Sequence, residues 1–263
     1  MQELRLTVLG SGTSMGVPTL GCGCPVCHSE NPKDRRTRCS LLLSAGGRSV
    51  VIDTSPDFRT QALRENLTRL DAIVYTHAHA DHILGLDDIR PFNIRQKADI
   101  PIYASSETHA ILRRTFAYIF ENPNEYSTLP RIRPHVIDGP FDPFGHPEAK
   151  IELTPVPARH GPTDVLGFRF GRAAYLTDFS VVPEESKPLL QDLDDLILDA
   201  LRYNPHPMHS NVEQSLALVR ELRPRRAWFT HIAHDLSHEE TNRRLPPHVE
   251  LAYDGLSFGV RLS

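Results

Sequence analysis

Short apolar runs rich in β-branched residues recur along the chain at Leu4–Leu9, Ser40–Leu43, Ser49–Ile52, Ala72–Tyr75, Ile151–Val156, Leu166–Phe170, Ala173–Leu176, Leu196–Leu198, Ala227–Phe229 and Leu256–Leu262. Their length and patterning predict strands. Helical spacing appears between them. Phe58, Ala62, Leu63 and Leu67 share one face of Asp57–Arg69, and Ser106–Phe120 and Asn211–Leu222 are built alike. Asn211 suits an N-cap and Pro224 follows that helix closely. Ser237 with Glu240 predicts a capping box at another short helix start. Asn122–Pro147, rich in Pro, Gly and Asp, reads as a long loop of the kind that gates pockets. Strands interleaved with helices predict a layered α/β (α+β) architecture, and 263 residues predict one domain over 1–263.

Composition narrows the classes. Hydrophobic residues make up 40% of the chain, ordinary globular usage. The net charge of −4 and the lack of a Lys/Arg run disfavour a nucleic-acid groove. No 18-residue apolar stretch predicts a membrane span, and Met1–Gly10 has strand alternation rather than leader character. The expected compartment is the cytoplasm. Oligomeric state is not readable from the sequence; a homodimer, the commonest assembly of soluble enzymes, is the one to test.

The chemistry lies in histidine and cysteine. Of 14 histidines, three stand with Asp81 in His77-Ala-His79-Ala-Asp81-His82, directly after the apolar run Ala72–Tyr75. Alternate residues past a strand end can point the same way, so His77 and His79 can converge on one ion while Asp81 and His82 face a second. Small Ala78 and Ala80 leave room, and Gly85 permits a sharp local path. Imidazole and carboxylate suit Zn, Mn or Fe, and two ions roughly 3.5–4 Å apart can brace both attacking and leaving oxygens. Further donors are needed. His160, Asp178 and His231 each follow an apolar strand, where functional loops concentrate.

Cys22, Cys24 and Cys27 lie within six residues, too close for disulfides and well spaced for a metal. A structural zinc needs a fourth donor. Cys39 opens an apolar run and reads as a core thiol; His28 is poorly placed to turn back; His234, three residues after His231, is the better candidate.

The order Thr76-His-Ala-His-Ala-Asp-His82, His160, Asp178, His231 resembles the metallo-β-lactamase superfamily. The resemblance implies a four-layered αββα sandwich with a binuclear site at one edge. It assigns His77, His79 and His160 to one ion, Asp81, His82 and His231 to the other, and Asp178 to both, with Asp53 orienting ligands from behind. Leu9-Gly-Ser-Gly-Thr13, the Cys-x-Cys-x-x-Cys loop and His231-Ile-Ala-His234 resemble the phosphoribosyl 1,2-cyclic phosphate phosphodiesterase-like branch. That branch implies a structural zinc on Cys22, Cys24, Cys27 and His234, two active-site Mn or Zn ions, and a leaving-group role for His209, with His206 the weaker choice.

The expected activity is hydrolysis of a small cyclic phosphodiester by a metal-bridging hydroxide, with Asp81 and His209 as catalytic residues. The alternatives are a tRNA 3′-processing endonuclease, an ester or thioester hydrolase on the same core, and a metal-binding scaffold without turnover.

Overall fold

The apolar runs pair into two stacked sheets. The computed structural model describes residues 4–121, 128–145 and 150–262. The strands in chain order are β1 (Leu4–Gly10), β2 (Ser40–Ala45), β3 (Arg48–Ile52), β4 (Ala72–Val74), β5 (Ile100–Ala104), β6 (Ile132–Val136), β7 (Thr154–His160), β8 (Thr163–Phe170), β9 (Ala173–Leu176), β10 (Asp195–Asp199), β11 (Arg226–Thr230), β12 (Val249–Leu251) and β13 (Ser257–Val260). The helices are α1 (Phe58–Arg64), α2 (Ala80–Ile83), α3 (Arg90–Gln96), α4 (Ser106–Thr115), α5 (Ala117–Phe120), α6 (Val212–Leu222) and α7 (His238–Asn242). One sheet has the order β13-β1-β2-β3-β4-β5-β6 and the other β12-β11-β10-β9-β8-β7.

Three buried clusters define four layers. Leu6, Leu43, Ile52, Phe168, Tyr175 and Ile197 fill the space between the sheets. Val51, Ile73 and Ile102 turn to the opposite face and meet Phe58 of α1 and Leu112 of α4. Leu196, Leu198 and Phe229 pack outward against Val219 and Leu222 of α6. Every residue of β10 is buried. That is why its segment reads as a continuous apolar run rather than an alternation. Each such fully buried Leu, Ile or Phe side chain contributes about 1.5–3 kcal/mol.

The expected αββα architecture is present. Among the described residues no helix is long and apolar enough to cross a membrane. Several local expectations need correction. Residues 122–127 and 146–147 of the expected loop lie outside the described residues, but Ile132–Val136 within it is strand β6. It is an edge strand containing Pro134, which an edge tolerates and which weakens its pattern. The strand expected at Ile151–Val156 runs instead from Thr154 to His160. The helix expected at Ser106–Phe120 breaks at Phe116, and α1 stops at Arg64, short of Arg69. β5 and β12 were not anticipated. The Ser237 side chain makes no capping bond; Asp34 Oδ1 accepts from the His238 N–H at 2.7 Å instead. Asn211 does form a reciprocal capping box, with Gln214.

Candidate metal centre

The parallel segments of both sheets end at one edge. β3 and β4 run parallel, as do β9, β10 and β11. Functional residues follow directly: Asp53 after β3, His77 beyond β4, His160 at the end of β7, Asp178 beyond β9, Asp199 at the end of β10 and His231 after β11. This is the crevice outside the carboxyl ends of strands where layered α/β sheets place ligands. A bond from Leu166 N to Thr76 O ties the two sheets there. Asp53, Asp178 and His231 all have left-handed backbone, with φ of 62°, 54° and 56°. Each such non-glycine residue costs about 1–2 kcal/mol, and here the turn re-aims a side chain into the crevice. Gly85 has φ of −85°, so no special dihedral requires it. It is required for space, because a Cβ there would run into the Ser55 carbonyl.

Two groups of four donors result: His77, His79, His160 and Asp178, and Asp81, His82, Asp178 and His231. Asp178 belongs to both. His82 Nε2 lies 3.3 Å from Asp81 Oδ2 and 3.3 Å from Asp178 Oδ1. His231 Nε2 lies 3.3 Å from Asp178 Oδ2. Two donors about 2.1 Å from one tetrahedral ion would stand about 3.4 Å apart. The Nε2 atoms of His77, His82 and His231 are buried without a hydrogen-bond partner. Buried polar atoms are rarely left so; one cation in the first group would resolve His77, and one in the second would resolve His82 and His231. The residues therefore fit a pair of divalent ions.

The opposite ring nitrogens are held from behind. His77 Nδ1 meets Thr76 Oγ1 at 2.9 Å, His82 Nδ1 meets Asp53 Oδ2 at 2.7 Å, and His160 Nδ1 meets the Met208 carbonyl at 2.6 Å. Asp53 also accepts from the Thr76 N–H and hydroxyl. Such partners fix ring orientation and leave Nε2 for a metal.

Electrostatics follow from burial and the crowded carboxylates. Burial alone would raise Asp178, but His231 and His82 hold it well below the usual carboxylate range. Burial opposes charge on His82 and His231, yet Asp178 leads the neighbouring carboxylates that outweigh it, and His231 is pushed up to about 9. Burial drives His77 well down. Asp53 is raised by burial, against the pull of His82.

His209 sits between His160 and His231, with ring centroids 4.5 Å from each. Its Nδ1 lies 2.9 Å from Asp199 Oδ2. Burial, then the charge on His231, pushes it down to about 4. Asp199, fully buried, also faces His231 Nδ1 at 3.9 Å. Sequence reasoning missed Asp199. The signal was present, because it ends an apolar strand just as Asp53 follows one, but no motif marked it. His206 stays farther out, 5.1 Å ring to ring from His209.

The second cluster is also assembled. His234 Nδ1 lies 3.2, 3.3 and 3.6 Å from the sulfurs of Cys22, Cys24 and Cys27. A Cys₃His set suits structural zinc. The Cys27 backbone N–H lowers Cys24 to about 6, whereas burial pushes Cys27 up to about 11. Cys39 is a buried thiol 3.4 Å from Thr230 Oγ1, apart from the cluster, and His28 bonds the Cys24 carbonyl.

Residues 48–232 match the model of the beta-lactamase superfamily domain. A solved diphosphatase of the PhnP family is 49% identical, with a TM-score of 0.90 over 98% of both chains. Zinc-bound PqqB from Methylobacterium extorquens shares the fold at 19% identity, with a TM-score of 0.76 over 97% of this chain and 99% of that one. An octanoyltransferase of Porphyromonas gingivalis is 37% identical over 257 residues, covering 96% of this chain and 51% of that protein. The chain spans about half the length of the curated relatives it matches. The chain belongs to the metallo-β-lactamase superfamily. Within that superfamily it falls in the PhnP-like branch.

Proposed function

We propose that residues 1–263 form one hydrolase domain that cleaves a small phosphodiester, with a cyclic ribose phosphate such as phosphoribosyl 1,2-cyclic phosphate as the leading substrate. The observation that carries this reading is the pair of donor groups sharing Asp178, with His209 wedged between one imidazole of each. His77, His79, His160 and Asp178 would hold one divalent ion, Asp81, His82, His231 and Asp178 a second, and Cys22, Cys24, Cys27 and His234 a structural zinc. When bound, the active-site ions supply an activated water and neutralise charge on the phosphoryl oxygens.

The chain's own residues do the rest. Asp53 and Thr76 hold His82 and His77 in their rotamers. Asp199 holds His209 through Nδ1, leaving Nε2 to face the departing oxygen. His209 titrates low, so it is neutral in the free site at pH 7; an anionic phosphoryl group settling beside it favours its protonated form, which then protonates the leaving group. The net charge of −4 supports a small substrate over a long nucleic acid. A second reading has a specific support: the neighbour at 49% identity is named a diphosphatase, and a diphosphate linkage presents the same phosphoryl centre to the same donors.

The test is hydrolysis of cyclic ribose phosphate, a dinucleoside diphosphate and a thioester by Mn- or Zn-loaded protein, wild type and His209→Ala. Turnover on the first, reduced roughly 100- to 10,000-fold by the substitution with metal retained, supports the proposal. Turnover on the diphosphate alone selects the second reading. Thioester cleavage alone ends both.

A further inference from the structure

The geometry points to Met208 as a positioning residue that, seated on Gly161, locks His160 and His209 into a single unit. This rests on the phosphohydrolase reading above. Three contacts meet at this one residue. Its carbonyl accepts from His160 Nδ1 at 2.6 Å. That bond fixes the His160 tautomer, because the proton sits on Nδ1 and the Nε2 lone pair is left for a ligand. Its thioether lies against Gly161, where a Cβ would clash with Sδ and Cε. Its neighbour in sequence is His209, 2.9 Å from Asp199.

The two elements joined here are distant in sequence. Gly161 turns the β7–β8 hairpin with φ of 58°, a conformation that suits glycine. The turn is braced by Gly161 N donating to Ser180 Oγ at 3.0 Å and Ser180 N donating to the Arg159 carbonyl at 2.7 Å. The loop carrying His209 is pinned on its far side by Ser210 N donating to the Phe179 carbonyl at 2.6 Å. Met208 is thus the near-side anchor of this loop, where its own N donates to His206 Nδ1 at 3.2 Å and Arg202 donates to the Asn204 and Pro205 carbonyls at 3.3 and 3.2 Å. The missing Cβ of residue 161 sets how deeply Met208 sits, and hence the height of His209 over the crevice. A displacement of about 1 Å at such a group can cost roughly 100-fold in rate.

The experiment compares wild type, Gly161→Ala, Met208→Ala and the double variant on two phosphodiesters, one with an alkyl and one with a p-nitrophenyl leaving group. Only the alkyl oxide needs a proton from His209. Gly161→Ala is expected to lower kcat on the alkyl ester by about tenfold or more, with under about threefold change on the nitrophenyl ester. Met208→Ala, which removes the thioether seated on Gly161, is expected to show the same selective loss, and the double variant to lose no more than either single variant, since both break one contact. Equal losses on both esters, an unaffected Met208→Ala, or losses that multiply in the double variant would overturn the proposal. Histidine-ring proton–nitrogen NMR of the metal-free proteins gives a readout independent of turnover. The Nδ1–H signals of His160 and His209 are expected to weaken in both Gly161→Ala and Met208→Ala, and unchanged signals would also overturn it. Wild-type failure on every phosphate ester, with the NMR pattern as expected, sinks the phosphohydrolase reading and leaves the positioning role standing.

Discussion

The two donor clusters are built on opposite principles. The crevice donors are scattered from His77 to His231, yet most are almost wholly buried at the ends of core strands. The second nitrogens of His77, His82 and His160 are held by Thr76, Asp53 and the Met208 carbonyl. The cysteine cluster takes three of its four donors from six residues of an irregular loop, and Cys22 and Cys24 are only half-buried. No carboxylate among the described residues backs its sulfurs; their partners are His234 and the N–H groups of Thr19 and Cys27. The core therefore preorganises the first site, whereas in the second the ion itself would organise the chain. His231 and His234 join the two.

Four measurements break or sharpen this contrast. Asp178→Ala is expected to have the largest effect, since it removes the donor common to both groups. Turnover should fall by about a thousandfold or more, in keeping with several kcal/mol of lost charge stabilisation. Far-ultraviolet circular dichroism should stay unchanged, and a collapse of the fold instead would deny that the core builds the site independently of metal. Asp53→Asn follows, with metal affinity at the crevice weakened roughly 10- to 100-fold by equilibrium dialysis. An unaltered affinity would remove Asp53 from any orienting role.

Cys22→Ser should abolish zinc binding at the loop and expose residues 19–31 to limited proteolysis, while both sheets retain their amide protection. If the sheets lose protection together with the loop, the two regions are one cooperative unit and the contrast fails.

The smallest expected effect is graded by pH. His238, which lies beside Arg36 and follows the cysteine loop in space through Asp34, is pushed down to about 4, first by burial and then by Arg36. Its unfolded value is about 6.5. As pH falls the unfolded chain takes up this proton first, so stability drops between about pH 6.5 and 4 and levels off below. His238→Asn should flatten the Tm profile in that window. A parallel profile in the variant would assign the slope to other groups.

Much of the crevice was legible before folding. His77, His79, Asp81 and His82 stand together after one apolar run, and His160, Asp178 and His231 each follow another, because strand ends expose ligands and strands announce themselves by apolar patterning. Asp53 was legible for the same reason. Asp199 was not, although it occupies an equivalent position, since its role depends on His209 being folded back over it from ten residues away. Strand β6 escaped because an edge strand interrupted by Pro134 carries little alternation. Helix α7 was placed correctly at its start but for the wrong reason, Asp34 supplying the cap from 204 residues upstream.

The chain's own order of residues determined the layered class, the donor types and the short spacings within the His77–His82 and Cys22–Cys27 groups, because these depend on period and neighbourhood. Tertiary structure alone decided that Asp199 holds His209 and that Met208 rests on Gly161, and it brings Asp178 into both donor groups, as the family resemblance implied. Those relations join residues on separate strands and loops, and only the stacking of two sheets brings them within bonding distance.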